Sequence, residues 1–187
     1  NFAKPGGNVS GVSRMLGETR AKRLELIKTM LPTASRIGVL FSPSPDDGQR
    51  AKFESNLRES ARAVRVELDF HPYRSQDELM AAFPAMAAAR LPAFLLEPLP
   101  QTFVNRHRIA ELATQYRLPG VFTLRGYAEA GGLMSYGPDY WELLRQHARQ
   151  VDRVLRGASP AELPMEQPTK FELVINLATA KAIGLAI

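Results

Sequence analysis

The sequence predicts an α/β fold: a parallel sheet flanked by helices in three αβα layers. Two observations carry this. Amphipathic helical segments alternate strictly with short apolar, β-branched runs, the pattern of αβ units that build a parallel sheet covered on both faces. The junction "RLPAFLL" (90–96) also recurs as "RLPGVFTL" (117–124), so helix end, Leu-Pro and apolar strand are built twice in succession.

The elements follow in order. "ETRAKRLELIKTMLP" carries Leu24, Ile27 and Leu31 at helical spacing and ends at Pro32. "SRIGVLF" (35–41) is a buried strand. "QRAKFESNLRESARAV" sets Phe53, Leu57, Ala61 and Val64 on one helical face. "VRVELDFHPY" alternates Val64, Val66, Leu68 and Phe70 with polar residues, which predicts a strand near 65–70. "SQDELMAAFPAMAAAR" opens with a serine cap and an acidic first turn, and Pro84 within it predicts a kink or a split. "PAFLLEP" gives a strand near 93–97, "TFVNRHRIAELATQYR" a helix, and "PGVFTL" a strand near 121–124. An apolar stripe follows on a helix at 140–156, where Trp141, Leu144, Ala148, Val151 and Leu155 are spaced 3, 4, 3 and 4 apart.

Composition narrows the function. There are no cysteines, which excludes disulfides and thiolate metal sites. No apolar run approaches the ~20 residues of a membrane span. The formal net charge is +5, but the arginines are spread along nearly every helix among Glu and Gln. That reads as a solvated basic surface and argues against nucleic-acid binding, which needs a basic run or face.

In open parallel sheets, ligands sit outside the carboxyl ends of the strands. This selects "FSPSPDDG", "LEPLPQT", "FTLRGY" and "MSYGPDY". Catalysis finds little support in them. Gly132, Ser135 and Gly137 give G-x-x-S-x-G, one residue longer than a hydrolase elbow. His107 and His147 fall within helices and His71 on a strand, so no base stands in a strand-end loop. Metal-ligand spacing is absent, and "PGGNVSG" has Val12 after Gly11 where a phosphate loop needs Lys. Of the carboxylates Asp46, Asp47, Glu97 and Asp139, one could serve as a general base; otherwise they contact a ligand cation or cap the next helix. Loops with hydrogen-bonding side chains and no reactive centre describe a binding site.

Four segments then carry a family resemblance: "AKPGGNVSGVS", "AKRLELIKTMLPTASRIGVLFSP", "AGGLMSYGPDY" and "RVLRGASPAELPMEQPTKFELVINLATAKAIGL". Together they resemble the substrate-binding proteins of ABC transporters, in the branch that includes tryptophan/tyrosine-type periplasmic binding proteins. The resemblance implies a type I periplasmic-binding fold of two α/β lobes joined by three crossovers, with the ligand between them. It implies a periplasmic or extracytoplasmic location, a small-molecule ligand, a membrane permease as partner, and no catalysis, cofactor or metal. A ligand-sensing regulatory domain on the same fold is the alternative. The resemblance also implies that most of a first lobe is missing here. Residues 1–13 are then the end of that lobe and the first crossover, 14–133 the second lobe, and 134–187 the second and third crossovers. The helix at 140–156 would rest on the missing lobe, or pair with its own copy in a homodimer.

The expected ligand-binding residues are Ser42, Ser44, Glu97, Thr123, Arg125, Tyr136 and Asp139. Ser42 stands where the family commonly has Asn before Pro, which puts the usual amino-acid ligand in question. Arg125 would clamp a carboxylate through its guanidinium fork, or face solvent at a helix start. Tyr136 and Tyr127 stack on an aromatic ligand or pack between lobes. Ser135 to Asp139 read as a hinge beside the cleft.

Overall fold

The computed structural model describes residues 2–187 and has the expected α/β architecture. Its elements run α1 (Leu16–Met30), β1 (Arg36–Phe41), α2 (Asp47–Ala63), β2 (Glu67–Pro72), α3 (Gln76–Ala88), β3 (Phe94–Leu96), α4 (Pro100–Val104), α5 (Arg106–Gln115), β4 (Gly120–Phe122), α6 (Arg125–Glu129), β5 (Met134–Pro138), α7 (Tyr140–Leu155), β6 (Phe171–Ile175) and α8 (Leu177–Ile183). The strand order is β2-β1-β3-β4-β5-β6. The β1–β2, β1–β3, β3–β4 and β4–β5 pairings are all parallel.

The chain divides into two compact units. One comprises Gly17–Gly137 and Leu173–Ile187 and carries the bulk of the sheet. Because side chains alternate across a strand, this unit has two apolar layers. Val39, Phe41, Leu95, Val121 and Met134 pack with Leu24 and Ile27 of α1 and Leu57 of α2. Leu40, Phe94, Leu96 and Phe122 pack with Phe83 and Met86 of α3 and Ile109 of α5. The other unit joins the described residues up to Leu16 to Pro138–Glu172. There Ser13 N donates to Glu166 O at 2.8 Å and Glu166 N to Gly11 O at 2.9 Å, so two distant chain segments run side by side.

Several local expectations shift. Strand β2 starts at Glu67 rather than 65, because the end of α2 takes up the intervening residues: Val66 N returns to Ala61 O at 3.1 Å, with Arg65 at φ 56°. Helix α3 runs through Pro84 without a split, held by the buried Leu79, Phe83 and Met86 on either side of it. The single helix expected at 102–117 breaks at Asn105 into α4 and α5. Ser135 to Pro138 lie in strand β5, which pairs with β4 at Met134 and Ser135, and not in a loop.

Candidate functional site

The carboxyl ends of the strands bring a polar row together. Leu40 of β1 is registered with Leu96, Leu95 with Val121, and Val121 with Met134. Continuing that register by two residues sets Glu97, Thr123 and Tyr136 side by side, on the sheet face that α1 covers. Glu97 N donates to Leu40 O at 2.9 Å, which fixes the start of this row.

Glu97 is the centre of the row, and it is buried. Two arginines of α1 hold its carboxylate. Arg20 Nε and Nη2 each lie 2.8 Å from Oε2, and Arg23 Nη2 lies 3.4 Å from Oε1. Arg23 is fully buried and also donates to Leu96 O at 3.0 Å and Thr19 O at 3.3 Å. Burial pulls its pKa down to about 10, against the opposing pull of the Glu97 charge. Arg20 sits 5.1 Å above the ring of Phe53, which stacks on Phe41 at 5.2 Å. Two guanidinium groups against one carboxylate leave the group with a net positive charge.

Thr123 is 2 % exposed, and its Oγ1 has no hydrogen-bond partner among the described residues. A buried hydroxyl without a partner requires an explanation, and a bound solute or water is one. The backbone closes tightly beside it: a Cβ on Gly137 would lie 2.1 Å from the Thr123 carbonyl oxygen. Close approach, rather than conformational freedom, is what places glycine there.

The other expected residues are arranged differently. Ser42 is half-buried just past β1. Ser44 Oγ accepts from Asp46 N at 3.2 Å, and Asp46 caps α2 by accepting from Gln49 N at 2.9 Å. Arg125 begins α6 with its side chain 55 % exposed, and its Nε lies 2.7 Å from Glu129 Oε1. Tyr136 is half-buried. Tyr127 is core: it stacks on Phe122 at 4.8 Å, and its hydroxyl meets Thr102 Oγ1 at 2.8 Å. Ser135 is 2 % exposed within its strand, which is not how a nucleophilic elbow presents its serine.

Asp139 belongs to the other unit. Its Oδ1 accepts from Trp141 N at 3.1 Å and Glu142 N at 3.2 Å, so it caps α7. Its Oδ2 accepts from Lys170 Nζ at 2.7 Å. The lysine first, then the helix amides, hold its carboxyl below the usual carboxylate range.

Arg20 and Arg23 are the residues that sequence reasoning missed. Arg23 lies four positions before Ile27, which puts it on the buried face of α1. A charge at such a position signals a buried partner, and Glu97 was that partner.

A family model described as ABC transporter substrate binding protein matches residues 1–187. The chain belongs to this family. A curated relative named tyrosine-binding protein, from Clostridioides difficile, is 28 % identical over 186 residues, covering 99 % of this chain and 52 % of its own length. A crystal structure of a conserved domain protein from Vibrio cholerae is 25 % identical with a TM-score of 0.87, covering 100 % of this chain and 62 % of that one. An ABC domain in complex with L-Trp from Streptococcus pneumonia is 25 % identical with a TM-score of 0.84, covering 100 % and 63 %. This chain thus spans about half the length of the curated relative and under two thirds of the solved ones. The family is one of solute-binding, extracytoplasmic proteins. Among the described residues no helix is long and apolar enough to cross a membrane, and no cluster of His, Cys, Asp or Glu is placed to hold a metal ion.

Proposed function

We propose that this chain is part of the extracytoplasmic solute receptor of an ABC importer, delivering a small carboxylate-bearing molecule to a membrane permease without catalysis. The observation that carries the ligand class is the unpartnered, buried Thr123 hydroxyl registered beside Glu97, whose charge Arg20 and Arg23 exceed. A ligand carboxylate accepts from Thr123 Oγ1 and is attracted by the surplus positive charge. Ser42, Ser44, Arg125 and Tyr136 surround that edge in this reading. The relatives named for tyrosine and found with L-Trp make aromatic amino acids the first ligands to try.

The test is calorimetry on the full-length protein with L-tyrosine and L-tryptophan, beside native mass spectrometry of solute carried through purification. The expected result is one bound small carboxylate whose affinity falls about 10-fold in Thr123→Val, the size of one hydrogen bond to a charged group. Full-length protein that carries and binds no small molecule would overturn the receptor reading. A bound neutral solute would overturn the carboxylate alone.

The apolar stripe of α7 belongs to the same reading. Trp141 is 69 %, Val151 57 % and Leu155 81 % exposed, whereas Leu143, Gln146 and Gln150 turn inward. Val151, Val154 and Leu155 also wall a groove of about 370 Å³ together with Val9 and Pro160. In the longer proteins of this family a first lobe would cover the stripe; in a chain of these 187 residues it would pair with a second copy about a two-fold axis.

A further inference from the structure

The arginines scattered along the sequence converge in the structure. A parallel sheet delivers every helix-to-strand junction to the same, amino, edge, opposite the edge described above. Arg65 leads into β2, Arg36 opens β1, Arg90 leads into β3 and Arg117 into β4. Those four strands are neighbours in the order β2-β1-β3-β4, so the arginines form a row about 14 Å long at the usual strand spacing. Arg62, in the last turn of α2, stands beside it. All five are exposed. Arg36 is paired with Asp69; Arg62, Arg65, Arg90 and Arg117 have no ion-pair partner among the described residues.

The backbone at three of these positions disfavours arginine. Arg65, Arg90 and Arg117 have φ of 56°, 53° and 50°, a left-handed conformation that is costly for any residue with a Cβ and usually assigned to glycine at a helix end. Favourable charge at a helix C-terminus does not require this position, since a basic residue one turn earlier supplies it in regular helical geometry. The edge is also purely electrostatic. None of the exposed large hydrophobic residues lies at 31–36, 62–67, 88–93 or 115–120, so it lacks the apolar centre of a protein–protein interface. Ser35, Arg36, Arg62 and Arg65 with Val66 and Glu67 line a recess of about 460 Å³ at one end of the row, room for a phosphate group.

We propose that this row is a docking surface for the phosphate headgroups of an anionic membrane. Long-stemmed guanidinium groups in a line suit a planar array of phosphates.

The test is co-sedimentation of the full-length protein with vesicles of phosphatidylcholine alone or with about 30 mol % phosphatidylglycerol, at low and at half-molar salt. The comparison is a variant with Arg62→Gln, Arg65→Gly, Arg90→Gly and Arg117→Gly; glycine relieves the positive φ, so loss of fold does not confound it. The expected result is binding to anionic vesicles only, lost at high salt, and at least ~100-fold weaker in the variant. Equal binding by the variant, or no preference for phosphatidylglycerol, overturns the proposal. So does saturation of the recess by millimolar inorganic phosphate, seen by calorimetry, in a protein that ignores vesicles: that outcome makes it a site for a free anion. Failure here leaves the solute-receptor reading intact, because calorimetry at the opposite edge tests that separately.

Discussion

Arg23 and Glu97 tie α1 to the carboxyl end of β3. Arg23 Nη2 lies 3.4 Å from Glu97 Oε1, and Arg23 has no exposed surface. A charge in that position depends on its partner, since removing one side of a buried pair leaves the other uncompensated. Glu97→Leu is expected to cost about 3–5 kcal/mol in urea denaturation. Arg23→Met combined with Glu97→Leu should recover most of that loss, because the remaining Arg20 is 22 % exposed and turns to water. A double variant as unstable as the single one would show that Arg23 and Glu97 act separately.

Gly137→Ala is expected to destabilise the protein by about 1–3 kcal/mol, the range for overfilling a packed site. The reason is the Thr123 carbonyl, 2.1 Å from where a Cβ would stand. The obstructing atom is backbone and cannot rotate away. The same substitution at Gly7 meets nothing within 4 Å and serves as the control. Equal melting temperatures for the two variants would mean that the ends of β4 and β5 separate readily.

The fold was legible because periodicity reports burial, and burial is what a parallel sheet imposes on its strands. "SRIGVLF" and "PAFLLEP" needed no tertiary information. The site was only partly legible. Glu97 and Thr123 could be selected from their position past a strand, but the arginines that hold Glu97 come from a helix 74 residues away for Arg23. Local pattern carries no record of such a contact beyond a charge on an apolar face. Tyr127 shows the opposite limit: its sequence position suits a ligand, and its ring packing with Phe122 is a matter of three-dimensional neighbours. The arginine row illustrates a third case. Arg62 and Arg65 stand at the end of α2, Arg90 and Arg117 just past α3 and α5, and Arg36 at the start of β1, and only the topology makes them adjacent.

The Asp139–Lys170 pair predicts a pH dependence. Its folded carboxyl titrates below the usual value near 3.9, so the unfolded chain takes up a proton first as the pH falls. The stabilisation is therefore fully present above about pH 5 and is lost as the pH drops through the folded pKa. Lys170 is raised by the same partner, so its share persists until the pH climbs past the usual lysine range. Chemical denaturation from pH 6 to pH 3 should show a shallower loss of stability in Lys170→Met than in the native sequence. Parallel curves would indicate that the helix amides alone hold Asp139.

The α7 stripe predicts self-association of this chain. Trp141, Leu144, Val151 and Leu155 are all exposed on one face, while the inward face carries Gln146 and Gln150. Burying one large apolar side chain contributes roughly 1.5–3 kcal/mol. A solvated row of four is an adhesive surface. It repeats identically in every copy, so two chains related by a two-fold axis bury it with no further partner. Sedimentation of the 187-residue chain at low micromolar concentration should show a dimer. Trp141→Glu with Leu144→Glu should restore the monomer, because two like charges then meet their own copies across the axis. The emission of Trp141 gives an independent reading, since it is the chain's single tryptophan: blue-shifted in the dimer and moving red on dilution. A native chain that is monomeric with water-exposed Trp141 emission would mean that the stripe does not drive pairing. A native chain that is monomeric with buried emission would mean that the helix finds its cover within one chain, and either result removes the dimer.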